Sequence, residues 1–166
     1  MAAKTLQDLF IHELSDIYSA EKQLAKALPK LARAATNPKL SEAFQAHLEE
    51  TQGQIERIDQ VVELCDIKLK RMKCAAMEGL VEEGKEVIEE ITKGPVLDAA
   101  LIAAAQKAEH YEISSYGTLC TFARHLGFKD AEKLLYQTLQ EEKSTDEKLT
   151  KLAESESNPQ AEKKGK

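Results

Sequence analysis

The sequence has 166 residues, enough for one domain with its own core, and its few glycines and prolines favour an all-α fold. Its formal net charge of −6 argues against general binding to nucleic acid or to an anionic membrane surface. The three cysteines lack C-x-x-C spacing and no apolar run approaches a membrane span or a signal region, so we expect reduced thiols and a cytoplasmic protein.

Apolar residues at helical spacing predict a first helix that opens at Thr5 and ends near Ala35. Thr5 carries the spacing of a capping box, and Pro29 inside the pattern predicts a bend rather than an end. Asn37 followed by Pro38 predicts the start of a second helix. Because the connection is so short, the two helices are expected to form an antiparallel hairpin.

The segment 66–94 departs from this pattern, since it begins with a short basic run and continues with a shorter amphipathic stretch. We interpret it as a long crossover that carries its own short helix. Gly94 and Pro95 predict the start of a third long helix, which Gly127 ends. A fourth helix is expected from about Asp130. Two hairpins joined by one long crossover form the connectivity of a ferritin-like four-helix bundle.

The domain boundaries follow from these elements. Residues 4–153 are predicted to form the bundle, and the polar, charged residues 154–166 to form a disordered tail. Met77, Leu80 and Ile88 are apolar positions on the crossover helix that need cover. A second copy of the chain would supply that cover, so we expect a homodimer.

Each long helix places an acid on its apolar stripe, where burial of a lone carboxylate is costly. These acids are Glu21, Glu50, Glu112 and Glu142. Each lies 12 or 14 residues from the predicted end of its helix at the same end of the bundle, so all four are expected at one level. For any one of them, the alternative is a residue at the edge of the stripe that reaches solvent.

Three further candidate ligands lie one helical turn from these acids: His47, Glu109 and Asp146. Neither Lys nor Arg falls on the stripes at this depth, so a divalent metal is the expected counter-ion. Oxygen-rich ligands suit iron or manganese, and two bridged ions would use all the charges. We therefore predict a site for two divalent metal ions. For His47, the alternative is a core or surface histidine that binds no metal.

Four segments also carry a family resemblance. They are LSDIYSAEKQL at 14–24, HLEETQGQIER at 47–57, CAAMEGLVEEG at 74–84 and AAAQKAEHYEISSYG at 103–117. Together they resemble the YciF/YciE-type ferritin-like family of bacterial stress proteins. The resemblance implies a fold shared with rubrerythrins and manganese catalases. By the rubrerythrin-like pattern, it assigns the metal ligands Glu21, Glu50, Glu109, Glu112 and Glu142.

The sequence departs from that pattern in two respects. Ferritin-like di-metal sites carry Glu-x-x-His motifs, but Gly53 and Thr145 stand where those histidines are expected. His47, Gln54 and Asp146 are the candidate substitutes, and the alternative is a degenerate site that holds no metal. The cysteine pairs that bring electrons to rubrerythrins are absent, so a separate protein would be the electron donor.

Three functions are compatible with these features. The leading hypothesis is a di-metal oxidoreductase that reacts with peroxide or dioxygen, which rests on analogy with the fold. The second is iron binding or storage without turnover. The third is a metal-free structural or partner-binding bundle.

Overall fold

The computed structural model describes residues 2–164. Within this range the regular structure is entirely helical, as predicted. The helices are α1 (Leu6–Ala34), α2 (Pro38–Leu64), α3 (Ala75–Glu90), α4 (Pro95–His125), α5 (Lys129–Leu152) and α6 (Asn158–Lys164), with a π-helical turn at Ala153–Ser157. In this part of the chain, no helix is long and apolar enough to cross a membrane.

The four long helices form one bundle around a single apolar core. α1 pairs with α2, α4 pairs with α5, and the two hairpins meet through α1 against α4 and α2 against α5. Phe10, Ile17, Phe44, Leu101 and Leu119 are among the side chains buried between them. The predicted four-helix bundle with a helical crossover is confirmed.

Local sequence signals explain where the helices begin and end. The Thr5 hydroxyl accepts a hydrogen bond from the Asp8 amide at 3.0 Å, which completes the capping box of α1. The helix continues through Pro29. Asn37 caps α2 by accepting from the Lys39 amide at 2.8 Å. After α4, Gly127 adopts a φ of 79°, which a residue without a side chain tolerates best.

The crossover lies along α1, and hydroxyl groups of that helix hold its backbone. The Ser15 hydroxyl accepts from the Lys70 amide at 2.9 Å, and the Ser19 hydroxyl accepts from the Cys74 amide at 2.9 Å. The side chain of Gln23 donates to the Cys74 carbonyl at 3.1 Å. α3 then packs against both α1 and α4. The crossover is therefore part of the folded unit.

The prediction of a disordered tail is wrong for residues 154–164, which form most of the π-helical turn and α6. The Asn37 side chain donates to Glu156 at 2.7 Å, Lys39 forms an ion pair with the same carboxylate, and Ser157 is buried. These polar contacts with the start of α2 hold a segment that has no apolar stripe of its own. Residues 165–166 of the predicted tail lie outside the described residues.

Candidate metal centre

Four predicted ligands meet in the bundle core: His47 of α2, Glu109 and Glu112 of α4, and Glu142 of α5. One ligand atom of each lies within 4.8 Å of those of the other three. Their exposed fractions are only 0 to 3%. Glu109 and Glu112 reach the same point because residues three apart share one face of a helix. Of the four acids expected at one level, one from each long helix, Glu112 and Glu142 belong to this group.

The polar atoms of this group lack the hydrogen bonds that buried polar atoms normally make. His47 Nε2 lies 2.9 Å from Glu109 Oε1 and 4.0 Å from Glu142 Oε2. With the acids ionised, both ring nitrogens of His47 and both carboxylate oxygens of Glu109, Glu112 and Glu142 have no hydrogen-bond partner among the described residues. The hydrogen bonds open to the acids are those between two carboxyl groups, Glu21 with Glu112 and Glu109 with Glu142, and each requires a proton on one of the two. Buried polar atoms without a partner destabilise the fold unless another group compensates them.

Glu21 joins the group from α1. It is fully buried, and its Oε1 accepts a hydrogen bond from the Tyr116 hydroxyl at 2.5 Å, whereas Oε2 has no partner in the described part of the chain. Burial, reinforced by the charge of Glu142, raises the pKa of Glu21 to about 8. Burial and the same carboxylates raise the pKa of Tyr116 well above its ordinary value, so Tyr116 remains a hydrogen-bond donor.

Burial is also the main cause of the pKa shifts of Glu109, Glu112 and His47. It raises the pKa values of Glu109 and Glu112 well above the ordinary range, and the charge of Glu142 adds to the effect. Burial lowers the pKa of His47 although Glu142 and Glu50 favour its charged form. A carboxyl group that retains its proton does little to stabilise a histidinium, which explains why the close contact with Glu109 does not reverse this shift. The metal-free centre therefore holds protons that a bound cation would displace.

Besides Glu21, two predicted ligands lie outside the buried group of four. Glu50 is half-buried and accepts a hydrogen bond from the Thr145 hydroxyl at 2.9 Å. Asp146 is partly exposed, with its Oδ2 3.0 Å from Nε2 of His110, and it also accepts from Gln106 at 3.3 Å. The position one turn after Glu142 faces these side chains of α4 instead of the core. Without a metal, Asp146 is thus a partner of His110 and not a member of the buried group of four.

Sequence reasoning missed the side chains that border the centre. Tyr116 follows Glu112 by one turn on the same stripe, a signal that could have placed it beside the acids. Arg57 forms a bidentate pair with Glu141, the neighbour of Glu142 in sequence, at 2.7 and 3.0 Å. Gln54, a candidate substitute ligand, donates to Glu141 at 3.3 Å. The buried Oε1 of Gln54 has no hydrogen-bond partner in the described part of the chain.

The donor set fits a metal. Five buried side chains, four carboxylates and one imidazole, offer oxygen and nitrogen ligands of the kind that iron and manganese prefer. The unpartnered oxygens are available for coordination. The buried group of His47, Glu109, Glu112 and Glu142 could therefore hold a metal ion.

A protein family described as "Domain of unknown function (DUF892)" matches residues 5–162. This chain belongs to that family. The match includes the π-helical turn and extends into α6, so these segments belong to the matched domain. Protein YciF of Escherichia coli (strain K12) is 67% identical over 165 residues, which cover 99% of each chain. The resemblance to YciF-type proteins is confirmed.

Two solved structures share this architecture. The crystal structure of the E. coli stress protein YciF has a TM-score of 0.89 at 69% identity, and the match covers 91% of this chain and 96% of that one. YcfI of Rhodopseudomonas palustris, described as a putative structural protein, has a TM-score of 0.85 at 48% identity, with 89% and 94% covered. The bundle is thus the fold of these relatives.

Proposed function

We propose that this DUF892 protein binds two divalent metal ions, iron or manganese, through Glu21, His47, Glu109, Glu112 and Glu142. The observation that supports the proposal is the set of buried carboxylate and imidazole atoms without hydrogen-bond partners among the described residues. Glu109 and Glu112 reach the site from one face of α4, and Glu142 approaches from α5. Glu50 lies close enough to His47 to favour its charged form. Glu50 would be an additional metal ligand if it exchanged its hydrogen bond with Thr145 for coordination of the metal.

The chain's own side chains would prepare the site. Tyr116 holds one oxygen of Glu21 by donating to it, which leaves the other oxygen available. The metals, when bound, would supply Lewis-acid and redox chemistry suited to peroxide or dioxygen. Electrons would come from a separate donor protein. Because the E. coli relative is called a stress protein, we assign the proposed chemistry to a stress response.

A second candidate function is that of a metal-free structural or partner-binding bundle. The description of the Rhodopseudomonas relative as a putative structural protein favours it. In that case, the acids would retain their protons and bind no metal. Iron binding without turnover is a third outcome, which differs from the proposal only in the absence of a reaction with peroxide or dioxygen.

Metal analysis tests the proposal directly. Protein stripped of metal and refilled anaerobically with Mn(II) or Fe(II) should retain about two ions per chain after desalting. Glu112→Gln and Glu142→Gln should each lose at least one ion. Glu147→Gln is the matched control, because Glu147 is an exposed acid on α5 and should bind metal like the wild type. Retention well below one ion by the wild type, with no loss in the two core variants, would exclude the site.

Peroxide consumption by the refilled protein then separates turnover from binding. With a small-molecule reductant in place of the donor protein, an oxidoreductase should reduce peroxide to water in proportion to bound metal, and Glu142→Gln should lose metal and activity together. Metal-loaded protein without this activity would leave iron or manganese binding as the function.

A further inference from the structure

A groove of about 620 Å³ lies between α1, α3 and α4. None of the five proposed metal ligands lines it. Its floor is formed by small residues of α4, Ala104, Ala105 and Ala108, and short side chains there leave room between the helices. The volume lies in the range of pockets that hold small organic ligands.

The walls of the groove are apolar and partly open to solvent. Leu80, Val81 and Ile88 of α3 line it and are only half-buried. Gly84 lies at the approach of α3 to α1, where an added Cβ would come 3.9 Å from Leu31 Cδ2. A larger side chain at this position would therefore occupy the groove.

The length of the groove matches a single alkyl chain. Its lining on α1 extends from Gln23 to Arg33, ten helical rises or roughly 15 Å. One leaflet contributes half of a hydrocarbon core that is about 30 Å thick, so an acyl chain spans a similar distance.

Cationic side chains border the groove on the α1 side. Lys26, Lys30 and Arg33 line it and are exposed. None of the three forms an ion pair within residues 2–164. Lys93 donates to the Arg33 carbonyl at 3.3 Å, which places another positive charge at this end. This cluster is positively charged, although the chain has a net charge of −6.

Acidic groups do not cancel this cationic edge. Glu89 is the acidic residue among those that line the groove, and its carboxylate lies 4.0 Å from Lys85, which also lines it. The other exposed acids of α3 do not contribute to the lining: Glu78, Glu82, Glu83, Glu86 and Glu90.

We propose that this groove binds one fatty acid whose alkyl chain is about 15 Å long. The alkyl chain lies against the alanines of α4 and the apolar face of α3, and the carboxylate lies beside Lys26, Lys30 and Arg33. An anion with an apolar tail satisfies both the apolar walls and the unpaired cations, whereas a neutral or cationic amphiphile satisfies only the walls. The site is independent of the proposed metal function.

Isothermal titration of the full chain with dodecanoate, kept below its micelle concentration, tests the proposal. We expect one bound dodecanoate per chain. Tetradecanoate should bind roughly tenfold more tightly, because each buried methylene strengthens binding several-fold. Dodecyltrimethylammonium, which has the same alkyl length and the opposite charge, should bind at least tenfold more weakly than dodecanoate.

Two variants locate the site. Gly84→Leu should abolish dodecanoate binding, and Gly79→Leu, at an exposed position of the same helix, should retain it. The triple substitution Lys26→Gln, Lys30→Gln and Arg33→Gln should weaken the binding of dodecanoate at least tenfold. It should not weaken the binding of dodecyltrimethylammonium. Lys129→Gln, Lys133→Gln and Lys148→Gln, exposed on α5, form the control. The charge variants keep the test decisive even if Gly84→Leu fails to fold.

Other occupants predict different results, and each would overturn the proposal. If a second copy covers the groove, dodecanoate will not bind and Gly84→Leu will halve the mass measured by light scattering. If the cationic edge binds a membrane surface, vesicles of anionic lipid will bind while monomeric dodecanoate will not. Equal affinity for dodecanoate and dodecyltrimethylammonium would indicate an apolar crevice without a carboxylate site.

Discussion

Replacement of Glu142 by methionine should stabilise the metal-free protein. Glu142 is 1% exposed, and both of its carboxylate oxygens lack hydrogen-bond partners in the described part of the chain. Its charge is also the leading electrostatic cause that raises the pKa values of Glu21, Glu109 and Glu112. Methionine has a similar length and no polar oxygen to desolvate, so the substitution removes a cost without leaving a large cavity.

The size of the effect follows from the unpaired oxygens. An unsatisfied buried polar group costs about 1 to 3 kcal/mol. For a domain of this length, 1 kcal/mol corresponds to a shift of about 2 to 4 °C in Tm. The chelated Glu142→Met variant should therefore melt roughly 2 to 12 °C above chelated wild type. This sign is unusual, because most core substitutions destabilise a protein.

Thermal melts with chelator and with Mn(II) provide the assay. Mn(II) should raise the Tm of wild type through binding to the folded state, and it should raise that of Glu142→Met much less. Leu139→Met, a buried substitution on the same helix, is the control and should not raise the Tm. A chelated Glu142→Met variant that melts below wild type would refute the reasoning, since it would show that the carboxylate supports the fold without metal.

The metal-free protein should also lose stability as pH rises. Unfolded glutamates release their protons near pH 4.5, whereas folded Glu21 retains its proton up to about pH 8. The folded state therefore binds more protons in this interval. Its free energy of unfolding falls on the order of 1 kcal/mol per pH unit as pH rises. Glu109 and Glu112 act in the same direction, whereas His47, whose pKa is lowered, opposes them below pH 6.5. Urea titrations of chelated protein at pH 5.5, 6.5 and 7.5 measure this trend, and a free energy of unfolding that increases with pH would contradict it. A homodimer remains a prediction, but Met77 is buried within its own chain, and Leu80 and Ile88 line the groove proposed to bind a fatty acid, so the two copies would meet through another surface. Light scattering at micromolar concentration should give twice the chain mass; a monomer would contradict the expectation, and a large closed shell would favour iron storage.

The helices could be predicted from the sequence because their end signals are local. Asn37 and Pro38 predict the start of α2, and Gly127 predicts the end of α4. The pair Asn158 and Pro159 looks like the Asn37 and Pro38 signal, but Asn158 has helical backbone angles and continues directly from the π-helical turn, and the polar composition around it favoured disorder. That segment is held by contacts with residues more than one hundred positions away, which no local pattern reveals.

The sequence could predict which acids lie in the core of the candidate site, but not which side chains lie at its edge. Periodicity placed Glu112 and Glu142 on inward stripes, and both are buried. It could not place Asp146, because four residues on a helix turn the side chain by about 40°, and small rotations decide between the core and the edge of a bundle. Whether Glu50 faces Thr145 or the centre depends in the same way on how α2 and α5 pack.

The link between Glu156 and the start of α2 joins positions 119 residues apart, counted from Asn37. Its contacts form only after both hairpins have docked, and they involve few apolar groups, so this end of the chain should open more easily than the core. Hydrogen exchange at α6 would then report the docking of the hairpins, and a fusion attached beyond α6 would pull on the start of α2. Protection of the α6 amides from exchange would therefore indicate that the two hairpins are packed together.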